Sequence, residues 1–183
     1  MGHFCVKCGA PLVIKVIEGR ELEACPQDDF VLWRDPKVAA AIVVATTGGI
    51  VLGRRGIEPG YGLWCLPGGF VNDDEGPADA VARECQEEIG ARVEVDGVLD
   101  VYHGGKRTAP SIVVIAYRGR LVEGEKLTVG DEMLEVGIFA LSALPELAFP
   151  SHRQALARFA AEHVATASPP SPAQAPPTQS QTR

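Results

Sequence analysis

GFVNDDEGPADAVARECQEEIGA, running from Gly69 to Ala91, is the stretch that decides how this 183-residue chain is read. A helix is predicted over Pro77–Ile89, because proline suits the first turn and Gly90 supplies a stop. At ~100° per residue, Glu87 and Glu88 lie near −60° and +40° of Glu84. Three carboxylates therefore share an arc of about 100° on that helix. Ala78, Val81, Ala82, Cys85 and Ile89 fill the adjoining arc, which faces the core. The carboxylates sit at the edge of this stripe, where a helix can border a cleft. Like charges at i,i+4 cost helix stability, and a cation offsets that cost. Hard oxygen ligands of this kind suit Mg²⁺ or Mn²⁺. The plainer alternative is a solvated acidic face in which Arg83 and Glu87 form an i,i+4 pair.

The residues upstream of the helix favour the metal reading. Gly69, Glu75, Arg83, Glu84, Glu87, Glu88 and Gly90 follow the spacing Gly-x5-Glu-x7-Arg-Glu-x2-Glu-Glu-x-Gly. This resembles the signature of the Nudix hydrolases, and each of its fixed positions matches. The resemblance implies an α/β/α sandwich with a mixed central sheet. Glu84, Glu87 and Glu88 would bind a divalent metal, joined by a backbone carbonyl of Gly68 or Gly69. Glu75 and Arg83 would pair across the loop to hold its shape. Metals there would neutralise diphosphate oxygens and activate a water. The general base is a glutamate of the helix or one on a distant loop, and Glu132 is the loop candidate.

Outward from the motif the pattern is mixed α/β. Val38–Val44 and Ile50–Arg54 read as a hairpin across Thr46-Thr47-Gly48-Gly49. Residues 53–67 read as a long Gly/Pro loop. Val93–Asp100, Ser111–Tyr117 and Glu135–Phe139 are further strands. Residues 151–165 read as a helix with Ser151 as its N-cap. Residues 166–183 hold five prolines and one charge, Arg183. Such a stretch cannot bury enough surface to offset its ordering entropy, so a disordered tail is expected. The expected division is a module over 1–34, a catalytic domain over 35–165 and that tail.

Arg54 and Arg55 are candidates to meet phosphates, with one of them alternating outward. Trp64 and Tyr61 could stack on a base or flavin, or pack the loop down. His152 could donate to a ligand or be structural. Cys65 and Cys85 have the character of small core residues. The polar loop over residues 103–107 is a surface turn or a specificity element.

Cys5-x-x-Cys8 is a metal-clamping knuckle. Its partner is Cys25-Pro26-Gln27-Asp28, so a Cys3Asp zinc site is possible, with His3 or Asp29 as other fourth ligands. The alternative is a ribbon that has lost its metal. A ribbon ahead of the signature resembles the NADH pyrophosphatases and the shorter ribbon-containing enzymes acting on ADP-ribose and FAD. Residues 53–67 and 147–153 are similar to the second group. ADP-ribose or FAD is therefore the favoured substrate, with NADH next.

The chain carries 24 acidic and 17 basic residues, a net charge of −7. Asp73–Glu88 alone holds seven acids and one base, so the acidity belongs mainly to one loop and helix. That balance argues against nucleic-acid binding, and so against a cap- or RNA-end-processing enzyme. A silent ligand-binding module of the same family is a further alternative, although such modules tend to lose the glutamates kept here. No apolar run reaches the roughly 20 residues of a membrane span. The N-terminus lacks a signal-peptide pattern. A cytoplasmic enzyme is expected, and relatives make a homodimer one option.

Overall fold

The structure, a computed structural model, describes residues 2–104 and 111–167, with side chains of the last helix described to residue 163. Three short antiparallel strands open the chain: β1 (Val13–Ile17), β2 (Arg20–Ala24) and β3 (Val31–Leu32). Cys5, Ala10 and Cys25 form their small buried cluster.

The larger sheet contains β4 (Lys37–Thr46), β5 (Gly49–Arg55), β6 (Trp64–Cys65), β7 (Gly68–Phe70), β8 (Val93–Gly104), β9 (Ile112–Leu121) and β10 (Met133–Phe139). Its main path runs β10-β5-β4-β9-β8, while β6 pairs with β5 and β7 with β4. The β4–β9 pair is parallel and the other pairs are antiparallel, so the sheet is mixed.

Strand period and helix stripe explain the layers. Successive residues of β4 point to opposite faces. Ala40, Ile42 and Val44 pack with Val81, Cys85 and Ile89 of α1 (Pro77–Ile89). Ala41 and Val43 pack with Ala155, Leu156 and Phe159 of α2 (Pro150–Ala167). The molecule is thus an α/β/α sandwich. Apolar residues on both faces of β4 account for its near-continuous hydrophobic run.

Several boundaries differ from expectation. The loop over 53–67 is shorter, because β5 continues to Arg55 and Trp64–Cys65 returns beside it. Strands β8 and β9 extend further at their polar ends, which hydrophobic pattern alone underweights. The last helix starts at Pro150, whose fixed φ suits a first helical position. Ser151 therefore lies inside the helix, buried, and does not cap it. The helix runs to Ala167, and the expected tail beyond it lies outside the described residues. So do residues 105–107 of the polar loop.

Candidate active site

Arg83 organises the loop that precedes and overlies α1. Its Nη2 and Nε donate to the two oxygens of Glu75 at 2.7 and 3.1 Å. Nη2 also donates to the Phe70 carbonyl at 3.2 Å. Nη1 donates to Glu84 Oε1 and Glu87 Oε2, each at 2.9 Å. Glu75 in turn accepts from the Asn72 amide at 3.0 Å. The Arg83 hydrogen bonds hold Glu75 below the usual carboxylate range. The fork of a guanidinium suits this task, since an ammonium cannot serve so many planar acceptors.

Glu88 is only 4% exposed. Burial pushes its carboxyl up to about 8, against the hydrogen bond it accepts from the Gly68 amide at 2.8 Å. Burial also raises Glu84, partly offset by Arg83. A Cβ on Gly69 would lie 2.3 Å from Glu84 Oε1, so glycine is what lets that carboxylate reach the backbone of β7.

The segment before β10 closes over the end of α1. Thr128 and Gly130 amides donate to the Ile89 and Glu88 carbonyls at 2.9 and 3.0 Å. A Cβ on Gly130 would sit 1.8 Å from the Glu87 carbonyl oxygen, so no larger residue fits there. The Gly56 amide donates to the Glu132 carbonyl at 2.7 Å. These bonds hold the Glu132 carboxylate where its charge acts on both Glu84 and Glu88.

Together these groups line a cavity of about 970 Å³. Glu84, Glu87, Glu88 and Glu132 border it, with Gly68, Gly69, Arg83 and Arg55. Strand alternation separates the two candidate arginines. Arg55 turns inward and is 8% exposed, while Arg54 turns outward to Glu135 at 3.7 Å and the Gly62 carbonyl at 2.9 Å. Trp64 packs edge-on against Phe139 with centroids 4.6 Å apart, and neither Arg54 nor Trp64 lines the cavity. Tyr61 is exposed and also lies away from the cavity. Cys65 and Cys85 are buried thiols, and burial pushes Cys65 up to about 12.

Phe70, Phe149, Ile57 and Ile112 supply apolar lining that sequence reading did not single out. They come from four separate segments, so no spacing rule connects them. Phe149 and His152 reach the cavity because flanking backbone bonds, Trp64 amide to Glu146 carbonyl and Ala148 amide to Trp64 carbonyl, tie the segment before α2 to β6.

A second cluster lies in the N-terminal sheet. The ligand atoms of Cys5, Cys8, Cys25 and Asp28 all fall within 4.8 Å of one another. Cys8 and Cys25 sulfurs are 3.5 Å apart, and Cys5 Sγ lies 3.2 Å from Asp28. Thiolates around a Zn²⁺ at about 2.3 Å are spaced by about 3.8 Å in a tetrahedron, so the donor set fits such an ion. Lys7 and Gln27 amides donate to the Cys5 and Cys25 sulfurs, each at 3.4 Å. His3 instead binds Glu23, and Asp29 binds Lys7. An amide hydrogen bond from Phe30 holds Asp28 down to about 2, ready to ligate as the anion.

The sandwich and the carboxylate-bearing loop and helix define a hydrolase class. The NUDIX domain family model matches residues 35–159. The chain belongs to the Nudix hydrolase family. It is 34% identical over 135 residues to an ADP-ribose pyrophosphatase of Methanocaldococcus jannaschii, covering 74% of this chain and 77% of that protein. It is 28% identical over 146 residues to the NAD-capped RNA hydrolase NudC of Pseudomonas aeruginosa, spanning 79% of this chain but 50% of that protein. A crystal structure of a NUDIX hydrolase from Nitrosomonas europaea superposes with a TM-score of 0.78 at 30% identity, over 88% of this chain and 92% of that one.

Proposed function

We propose that this Nudix hydrolase uses Mg²⁺ or Mn²⁺ to cleave the diphosphate bond of a nucleoside diphosphate joined to another moiety. ADP-ribose and FAD are the favoured substrates and NADH comes next. The observation that carries this reading is the set of four glutamates, one of them deeply buried, around a cavity that also holds a buried arginine. A buried carboxylate with no paired cation is costly as an anion. A divalent ion would remove that cost, so the residues fit the metal. Glu84, Glu87 and Glu88, with a carbonyl of Gly68 or Gly69, would hold it.

A bound divalent ion would supply charge neutralisation for the diphosphate and a water of lowered pKa. Glu132 accepts the proton of the attacking water, because its loop is fixed beside the helix carboxylates. Arg55 neutralises a phosphoryl oxygen. Apolar side chains such as Phe70 and Ile57 line the remainder of the cavity and can face a base or sugar. The relative named ADP-ribose pyrophosphatase supports that substrate class. The same proposal divides the chain into a Zn²⁺-holding module over 1–34 and a catalytic domain over 35–165. Cys5, Cys8, Cys25 and Asp28 would hold that zinc.

A screen of ADP-ribose, FAD, NADH, diadenosine polyphosphates, nucleoside triphosphates and NAD-capped RNA, with Mg²⁺ or Mn²⁺ and product identification, tests this. The expected result is AMP plus ribose 5-phosphate from ADP-ribose, or AMP plus FMN from FAD. Turnover of capped RNA alone, or of nothing, would overturn it.

A further inference from the structure

His152 is held in one tautomer by the fold. The Leu66 amide donates to His152 Nδ1 at 3.0 Å. A backbone N–H is always a donor, so Nδ1 must be the acceptor and Nε2 carries the ring proton. Burial, with the charges of Arg55 and Arg153, keeps the imidazole neutral down to about 3. Nε2 has no partner among the described residues. Tyr102 Oη is the one described side-chain oxygen or nitrogen both sealed and unpartnered, so Nε2 is open, and the cavity is what the ring borders.

Arg55 stands beside it. Phe149 links the two: the Arg55 guanidinium lies 5.0 Å over its ring, and the His152 ring packs against it in a T-shaped contact with centroids 5.0 Å apart. Arg55 Nε is committed to the Pro59 carbonyl at 2.8 Å, which fixes the plane of the guanidinium. Among the described residues no carboxylate lies within ion-pair distance of Arg55, although its charge acts on Glu88 and its guanidinium reaches the Cys65 thiol. His152 Nε2–H and the guanidinium donors left over from Pro59 and Cys65 therefore border the cavity without a carboxylate partner, and such donors suit an acceptor-rich ligand.

We propose that His152 Nε2–H and the Arg55 guanidinium form a two-donor subsite that takes a non-bridging phosphoryl oxygen of the substrate. This rests on the diphosphate reading above. A neutral imidazole donates to an oxyanion without placing a second cation against Arg55. The subsite would hold the diphosphate in register with the helix carboxylates, leaving the apolar lining to the moieties on either side.

The test uses the full chain. His152→Asn keeps an acceptor near Nδ1 for the Leu66 amide and removes the cavity donor, whereas His152→Gln places an N–H near Nε2. With ADP-ribose and Mg²⁺, KM should rise about 10- to 100-fold in His152→Asn and recover in part in His152→Gln. Imidazole ¹⁵N spectra of the wild type without metal should show protonated Nε2, shifting as inorganic pyrophosphate is added. Wild-type cleavage of ADP-ribose with unchanged KM in His152→Asn would overturn the subsite and leave the function standing. So would an Nε2 signal that pyrophosphate does not move. An Nε2 shift with pyrophosphate in a protein that cleaves no diphosphate would support the subsite and sink the function. Should His152→Asn fail to fold, the wild-type spectra decide.

Discussion

The Gly68 amide donates to Glu88 Oε2 at 2.8 Å, joining residues 20 apart in sequence. Through this bond β7 meets the C-terminal end of α1, and it orients a carboxylate that burial still pushes up to about 8. Glu88→Gln preserves an acceptor for the amide and removes the charge. It should lower kcat by about 10²- to 10³-fold, the scale for losing one preorganised electrostatic group. Circular dichroism and Tm should stay near wild type. Near-normal Mg²⁺-dependent turnover would sink the metal-site reading.

Glu132→Gln separates proton transfer from metal holding. Loss of a general base costs typically 10²- to 10⁴-fold in rate. Calorimetric Mn²⁺ affinity should change little, because the helix carboxylates are untouched. If affinity collapses with the rate, Glu132 is a ligand and the base lies elsewhere.

Arg83→Lys tests the loop geometry. Lysine cannot serve Glu75, Phe70, Glu84 and Glu87 together. The variant should lose about 1–3 kcal/mol in urea unfolding, the cost of leaving charged, part-buried groups short of partners. Activity should fall in the same variant as the loop over 69–76 loosens. An unchanged unfolding midpoint would show the network to be redundant.

His152 gives the metal-free protein an acid limit. Its folded-state value is lowered to about 3 from an ordinary 6.5. Between those values the unfolded chain binds a proton that the folded chain refuses, so stability falls as pH drops from 6.5 towards 3. Above 6.5 both states are neutral and the contribution is flat. Tm measured against pH should show this slope in the wild type and a shallower one in His152→Asn. Equal slopes would mean that the ring is not sealed in solution.

The N-terminal cluster predicts about one zinc per chain by elemental analysis of protein purified without chelator. Asp28→Cys should keep the metal and hold it more tightly, while Cys25→Ser should lose it. Zinc-free wild type would identify the ribbon as one that no longer holds metal.

The signature from Gly69 to Gly90 was legible because helix period and fixed spacing are local properties. Three carboxylates on one arc follow from ~100° per residue, whatever the rest of the chain does. The same holds for the Cys5/Cys8 knuckle, for Gly90 as a stop, and for the α/β alternation that indicated the fold class. Strand ends and the start of α2 were less legible, since pairing partners and a proline at the first helical position set them.

The sequence by itself therefore determined the family, the carboxylate helix and the set of possible zinc ligands. Only the tertiary structure separated Arg55 from Arg54, set Trp64 against Phe139 away from the cavity, and placed Asp28 rather than His3 or Asp29 among the cysteines. It also brought Glu132, Phe149 and His152 to the edge of α1's cavity. Those residues lie tens of positions from the signature, and they meet only because β5 pairs with β10 and β6 ties down the start of α2. Local periodicity fixes which face of an element a side chain occupies. Long-range pairing of the sheet decides which faces share a cavity.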